Sequence, residues 1–201
     1  MARPLRSLLA FLGLTFWLSG CAPVTVVPPV DPVQPVPVFL LDHGRHSSLV
    51  VPTPSGTLIR YSYGDWQYYA LGRTSLARGL AALLVPTSAA LGRRELLGPP
   101  GPIQVRRQVR VGIEQLFSID VAEADVARLG EQLDGLYQAG RPTRVYSAAM
   151  DLDFVHHPAP YTLRHNSNRM VAEWLRVLGC EVRGQPVLSD WRLEALPGRM
   201  R

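Results

Sequence analysis

Residues 161–180 read YTLRHNSNRMVAEWLRVLGC, and this stretch decides how the C-terminal part of the chain folds. Apolar residues recur at helical spacing and predict one amphipathic helix that ends at Gly179. Its buried stripe is predicted to be Met170, Val171, Trp174, Leu175 and Leu178. Ser167 stands at the start of this helix, between two asparagines. It either caps the helix or acts as a nucleophile, since a helix N-terminus stabilises negative charge.

Upstream of this helix, the sequence alternates between strand and helix patterns. A second helix is predicted to begin with Asp120 as its cap and Glu123, three residues later, as the capping-box partner. Gly140 and Pro142 are predicted to end it. Residues 74–96 read as one or two helices broken near Pro86. Strands are predicted at 38–42, 46–51, 57–65, 103–111 and 116–121, with a turn at residues 43–44. Strands and helices in separate runs favour an α+β fold with an antiparallel sheet and packed helices.

The N-terminus predicts export. A basic start, an apolar run of about a dozen residues and LSGC at residues 18–21 form a signal peptide over residues 1–20. LSGC also resembles the bacterial lipobox, in which Cys21 carries the lipid anchor. Ala22 after this cysteine favours the outer membrane over the inner one. Residues 21–37 contain six prolines and predict an extended spacer of roughly 45 Å, so that one domain follows over residues 38–201.

Charge and cysteine content limit the classes of partner. The net charge is +5, and it falls to +3 without Arg3 and Arg6 of the signal peptide, which is too small to favour nucleic acid on an exported protein. If Cys21 is acylated, Cys180 has no cysteine left to pair with, and its place after the last helix disfavours a thiolate. The expected partners are the membrane, through the anchor, and peptidoglycan or lipid. No cofactor is expected.

A catalytic reading of Ser167 needs a base, and His46 is the candidate because histidine titrates near neutral pH. His43, in the preceding turn, is the competitor. Asp65 is our choice for the residue that orients His46, although it also suits a plain turn after Gly64.

Other polar and aromatic residues have a smaller role in the prediction. Tyr63 and Asn166 are alternative orienting residues, and Tyr63, Trp66, Asn166 and Asn168 are the expected substrate contacts. The aromatic residues Trp66, Tyr68 and Tyr69 either line a groove or belong to the core. Asp151, Asp153, His156 and His157 are of types that hold metals, but a polar loop explains them, and no metal site is predicted.

Three segments together resemble an uncharacterised family of bacterial exported proteins, the DUF2459 type. These segments are HGRHSSLVVP, YSYGDWQYYAL and RHNSNRMVAEWLRVLGC, and the resemblance covers most of residues 38–192. The order of histidine on an early strand and nucleophile at a late helix start is similar to circularly permuted NlpC/P60 papain-like domains. The resemblance implies that fold, with acyl transfer or amide cleavage as the activity.

The resemblance places His46 at the family histidine and Ser167 at the family cysteine. A serine is less easily ionised than a thiol in the same surroundings. We therefore expect a binding domain with lost or altered catalysis. The alternative is an active hydrolase or acyltransferase on amide or ester bonds that uses Ser167 and His46. A third, weaker hypothesis is a structural lipoprotein with a basic face on lipid.

Overall fold

The computed structural model describes residues 23–73 and 85–195. In these ranges the α-helices are α1 (Pro102–Gln108), α2 (Glu123–Gly140) and α3 (Ser167–Val177). A π-helical turn covers Trp66–Ala70 and a 3-10 turn covers Arg141–Thr143. The strands are β1 (Val24–Val27), β2 (Pro35–Asp42), β3 (Ser47–Pro52), β4 (Leu58–Asp65), β5 (Thr87–Leu96), β6 (Gln115–Ala122), β7 (Val145–Ser147), β8 (Leu152–Tyr161), β9 (Glu181–Arg183) and β10 (Trp191–Leu193).

A seven-stranded sheet forms the centre of the domain, in the order β6-β2-β3-β4-β5-β8-β7. Every neighbouring pair in it is antiparallel. Its central strands are buried on both faces: in β2, Leu40 packs into the same core cluster as residues of α2 and α3, whereas Leu41 packs into the cluster that contains Val105 of α1. The predicted α+β class with an antiparallel sheet is confirmed.

Helix α3 follows its predicted pattern closely. The predicted stripe is buried, and Asn166 caps the helix by accepting a hydrogen bond from the backbone N–H of Arg169 at 2.9 Å. After the last turn, Gly179 has φ +83°, a conformation that glycine adopts without steric cost. The N–H of Cys180 then bonds to the carbonyl of Leu175, which closes the helix.

Two predicted elements are of the wrong type. Residues 103–111 were expected as a strand, but Pro102–Gln108 form helix α1, in which Pro102 suits the first turn and Val105 packs four residues before the buried Val109. Residues 87–96 were expected as helix, but they form β5 between β4 and β8. In β5, Gly92 leaves room for the ring of Phe154, only 2.6 Å from the position of a Cβ. The remainder of that predicted helix, residues 74–84, lies outside the described residues.

The predicted spacer is wrong for much of residues 21–37. Val24–Val27 form β1, which lies between β9 and β10, and Val24 and Val26 are buried in the main core. Pro35 already belongs to β2. The VTVV run contains no proline, and its β-branched residues are typical of a strand. The free energy gained by burying its valines outweighs the preference of the proline-rich sequence around it for an extended spacer. The described fold therefore begins at Val24 rather than near Val38.

The predicted cap of α2 is also wrong. The helix begins at Glu123 with Ala122 as its N-cap, and Asp120 lies inside β6. Pairing of β6 with β2 extends through Ala122, so the sheet holds Asp120 in extended backbone and the helix starts later.

Candidate functional site

Ser167 is the first residue of α3 and is 2% exposed. Because Asn166 caps the helix, the Ser167 hydroxyl is not needed as a cap. Its neighbour is Tyr69: burial is the main cause that raises the Tyr69 pKa, and a hydrogen bond with the Ser167 side chain opposes part of that rise. The hydroxyl at the expected nucleophile position is therefore covered by protein.

Asn168 joins the start of α3 to the start of β3. It accepts a hydrogen bond from Ser47 Oγ at 2.9 Å, and its Nδ2 donates to the carbonyls of Arg45 and Val187 at 3.3 and 3.2 Å. Ser47 Oγ in turn accepts from Trp191 Nε1 at 2.6 Å. We call Ser47, Asn166, Asn168 and Trp191 the helix-start joint.

Asn166 completes this joint, since its Nδ2 donates to the Val187 carbonyl at 3.3 Å. Both asparagines were expected to contact substrate, but their contacts are structural. Neither Ser47 nor Trp191 was expected at the site from the sequence, because Ser47 meets Asn168 across 121 positions and Trp191 meets Ser47 across 144.

Asp65 does not orient His46, so that part of the prediction is wrong. One carboxylate oxygen accepts from the backbone N–H of Tyr68 at 2.8 Å and the other from Thr87 Oγ1 at 2.5 Å. Asp65 thereby caps the π-helical turn, which matches the alternative reading as a turn aspartate.

Tyr63 and Trp66 have the contacts of core residues rather than of a substrate groove. The Tyr63 ring stacks on Tyr161 at 6.0 Å between centroids, and its hydroxyl donates to the Pro160 carbonyl at 3.1 Å. Trp66 stacks on His156 at 3.7 Å and is 8% exposed. With both rings and both asparagines occupied, the four expected substrate contacts are used within the protein.

Tyr69 contacts both His46 and Ser167. Its ring meets the His46 ring edge-on at 5.5 Å between centroids, and it lies directly over Gly64, where a Cβ would be 2.3 Å from Tyr69 Cδ2. None of the hydrogen bonds of the described residues joins His46 to Ser167 directly. The Gly64 in YSYGDWQYY is the sequence signal for this close approach.

His46 and His43 line a pocket beside the start of β3. Their rings stack at 4.8 Å between centroids, and His46 Nε2 is buried with no hydrogen-bond partner in the described part of the chain. The pocket has a volume of about 280 Å³. It is lined by His43, His46, Val111, Gly112, Ile113, Glu114, Ala149 and Met150. We call it the histidine pocket.

A buried network holds His43 in one tautomer. His43 Nδ1 is 2.6 Å from the Gly112 carbonyl, so Nδ1 must carry the hydrogen. His43 Nε2 then accepts from Ser48 Oγ at 2.9 Å, and Ser48 Oγ accepts from Arg60 Nε at 3.0 Å. The competitor histidine is thus the one with the fixed geometry.

Arg60 is the functional candidate that the sequence reasoning missed. It is 1% exposed, and its guanidinium donates to the Met150 carbonyl at 3.2 Å and lies 3.3 Å from His43 Nε2. No carboxylate pairs with it among residues 23–73 and 85–195. A buried arginine without a carboxylate is uncommon, and it gives the inner wall of the pocket a positive potential.

Burial and this guanidinium together weaken both histidines as bases. They lower the pKa of His46 to about 4, with burial as the larger cause. They lower the pKa of His43 to about 3, with a further contribution from His46. Both imidazoles are therefore neutral near pH 7.

The contacts of Cys180, Asp151 and Asp153 are those of structural residues. Cys180 is buried, and burial raises the pKa of its thiol to about 12, so it stays protonated. Asp151 pairs with Arg94, and Asp153 pairs with Arg144 at 2.9 Å. Within the described residues, no group of three or more His, Cys, Asp or Glu side chains is arranged to hold a metal ion.

Comparison with known proteins adds no relative. Neither the protein-family models, nor the curated proteins, nor the solved structures contain a match to this chain. The DUF2459 resemblance therefore stays a prediction. In the part of the chain that the structure describes, no helix combines the length and the apolar character that crossing a bilayer requires.

Proposed function

We propose that this protein is an envelope lipoprotein whose permuted papain-like domain binds a ligand and has lost turnover at the Ser167 position. The observation that carries the proposal is the state of Ser167, which is 2% exposed, next to the Tyr69 hydroxyl, and flanked by two asparagines that are bonded within the protein. A nucleophile has to reach its substrate, and this hydroxyl is covered.

The arrangement of elements supports the papain-like part of the proposal. The start of β3, which follows His46, and the start of α3 meet at one end of the sheet through the Ser47–Asn168 bond of 2.9 Å. This is the order of histidine and nucleophile positions that the resemblance implies.

The low basicity of His46 argues against the hydrolase alternative. A general base works best when its pKa lies near the working pH, and that of His46 is about 4. Removing a proton from a serine hydroxyl with so weak a base is unfavourable, whereas a thiol would need less help.

The histidine pocket is the place we propose for the ligand. It has a volume of about 280 Å³, near the lower end of the range for small-molecule sites. Two opposite charges lie near the pocket: the Arg60 guanidinium behind His43 and Met150, and the Glu114 carboxylate on the lining itself, so a polar ligand suits it.

Labelling with a fluorophosphonate, read by intact mass on the full chain in detergent, tests the loss of turnover. We expect no adduct on the wild-type protein. A single adduct that disappears in both Ser167→Ala and His46→Ala would overturn the proposal and establish the hydrolase alternative. Ser167→Cys, treated with iodoacetamide, shows whether a thiol at this position is reachable, with the buried Cys180 as an internal unreactive control.

A further inference from the structure

The first described strand fixes where the chain leaves the domain toward Cys21. Val24, its first residue, is three positions after Cys21, so the intervening chain spans at most about 10 Å. The Val24 N–H donates to the Asp190 carbonyl at 2.7 Å, and the Pro23 carbonyl lies beside Gly184. The chain therefore departs next to the loop of residues 184–190.

That loop carries exposed apolar side chains. Leu188 is 64% exposed and Val187 is 37% exposed, although both are large hydrophobic residues. Val187 is held against the start of α3, because both Asn166 and Asn168 donate to its carbonyl. An exposed apolar patch beside polar residues is typical of an interaction surface.

The turn before α3 leads directly into Asn166, whose side chain donates to the Val187 carbonyl. Leu163, 43% exposed, lies in the turn closed by the pairing of Thr162 with His165, directly before the cap of α3. Arg164 beside it is exposed, and so is Arg45, whose carbonyl accepts from Asn168. We call Leu163, Val187 and Leu188, with Arg45 and Arg164, the Leu188 face.

We propose that the Leu188 face lies on an anionic lipid surface and orients the domain on its membrane. This rests on the anchoring at Cys21 in the proposed function. With about 10 Å of chain between anchor and strand, the part of the domain beside Val24 is held within reach of the headgroups. Leucine and valine side chains suit the boundary between headgroups and acyl chains, while arginines suit anionic headgroups.

The charges near the face set its preference. Arg45 and Arg164 are positive, and the exposed Asp190 next to Val24 opposes them. Each arginine of the face that lies near an anionic surface strengthens binding about fivefold. The contact is therefore expected to be closer on anionic than on zwitterionic lipid.

Site-specific fluorescence on the lipid-inserted full chain tests the orientation. Leu188→Cys is labelled with an environment-sensitive dye and quenched by a lipid-borne quencher. Ile103→Cys is the matched control, because Ile103 is 67% exposed but lies on α1, which packs on Val50, Leu58 and Leu96 rather than near Ser47. Cys180 is buried and leaves little background labelling.

We expect strong quenching at position 188 and at most weak quenching at 103, with a larger difference in vesicles of phosphatidylcholine with phosphatidylglycerol than in phosphatidylcholine alone. Equal quenching at both positions, or stronger quenching at 103, would overturn the orientation.

Intact mass of the same preparation separates this failure from that of the anchoring. An acylated Cys21 with equal quenching refutes only the Leu188 face. A Cys21 without acyl chains refutes both the anchoring and the inference that rests on it. Neither result bears on Ser167, which the fluorophosphonate experiment addresses.

Discussion

The helix-start joint and the histidine pocket lie at the same end of the sheet but differ in how their polar groups are used. In the joint, Ser47 and Asn168 have partners on three segments of the chain. In the pocket, His46 Nε2 has no partner among the described residues, and the buried Arg60 has no carboxylate. A fully bonded region contributes rigidity, whereas a buried nitrogen without a partner, such as His46 Nε2, costs stability. Arg60 does donate to Ser48 and Met150, but a buried cation without a carboxylate is uncommon.

Asn168→Ala breaks the joint most severely. It removes the acceptor of the buried Ser47 hydroxyl and the side-chain donor to the Arg45 carbonyl, while Asn166 still donates to the Val187 carbonyl, so we expect a loss of about 3 kcal/mol in unfolding free energy. Urea denaturation measures this. Gln185→Ala removes an exposed hydrogen bond to Arg169 and is the control, with an expected change below about 0.5 kcal/mol. A change at Asn168 no larger than at Gln185 would show that the joint is not structural.

Lowering the pH tests the pocket. The pKa of each pocket histidine is lower in the folded state than in the unfolded state, where it is about 6.5. As the pH falls below about 6.5, the unfolded chain takes up a proton that the folded protein does not, so the free energy of unfolding decreases until the folded pKa is reached. For His46 and His43 the window runs from about 6.5 down to about 4 and about 3. We expect up to about 1.4 kcal/mol lost per pH unit for each histidine.

His46→Gln isolates the contribution of one histidine, because other groups also make stability depend on pH. Burial raises the pKa of Asp42, for example, which acts in the opposite direction as the pH falls. Urea midpoints between pH 7 and pH 5 should decline less steeply in His46→Gln than in the wild type. Identical slopes would contradict the lowered pKa of His46.

Arg60→Met sharpens the electrostatic side of the comparison. Because the guanidinium lowers the pKa of His43 and His46, its removal should raise both values, while burial still holds them below 6.5. Methionine removes a buried charge, which is favourable, but also the donors to Ser48 Oγ and the Met150 carbonyl, which is unfavourable. Because these effects oppose each other, we expect stability to change by less than about 2 kcal/mol. NMR titration of the histidine ring protons measures the shift, and His157, in another part of the sheet, is the internal control. Unchanged values at His43 would refute the role of Arg60.

Ser167→Ala should have the smallest effect. Asn166 supplies the cap, and alanine is the better helix former, so only the contact with Tyr69 is lost and we expect a change below about 1 kcal/mol. The same urea experiment that tests Asn168→Ala gives a direct comparison of two adjacent positions. A larger loss at Ser167 than at Asn168 would reverse their assigned roles.

The strength of the local pattern explains which elements were predictable. The α3 stripe repeats over three turns with a cap at one end and Gly179 at the other, so local sequence is enough. Residues 103–109 fit two structures: their alternating pattern favours a strand, and the i, i+4 pair of Val105 and Val109 favours a helix. Packing of these two valines against Val50 and Leu58 selects the helix. The alanines of β5 favour helix in isolation, but pairing with β4 and β8 outweighs that preference.

The candidate site was predictable only in outline. Placing His46 and Ser167 at one end of the fold was within reach of the resemblance, and the start of β3 does meet the start of α3. The role of Asp65 went wrong because the sequence does not show which groups its carboxylate bonds to: Tyr68 is three residues away, but Thr87 lies on the neighbouring strand β5. Arg60 went unnoticed because a single arginine in a strand carries no sign that it will be buried without a carboxylate.

By itself, the sequence determined the features that depend on neighbouring residues: the α3 stripe, the Gly179 stop and the hairpin of β2 and β3. The tertiary structure decided the features that depend on residues far apart in the chain. Val24–Val27 became a strand because β9 and β10 lie on either side of it. Ser47 met Asn168 across 121 positions, and Arg60 became a buried cation beside Ser48 and Met150, the latter 90 positions away. Local backbone preferences are worth tenths of a kcal/mol per residue, and burial and long-range hydrogen bonds exceed them wherever the fold brings distant groups together.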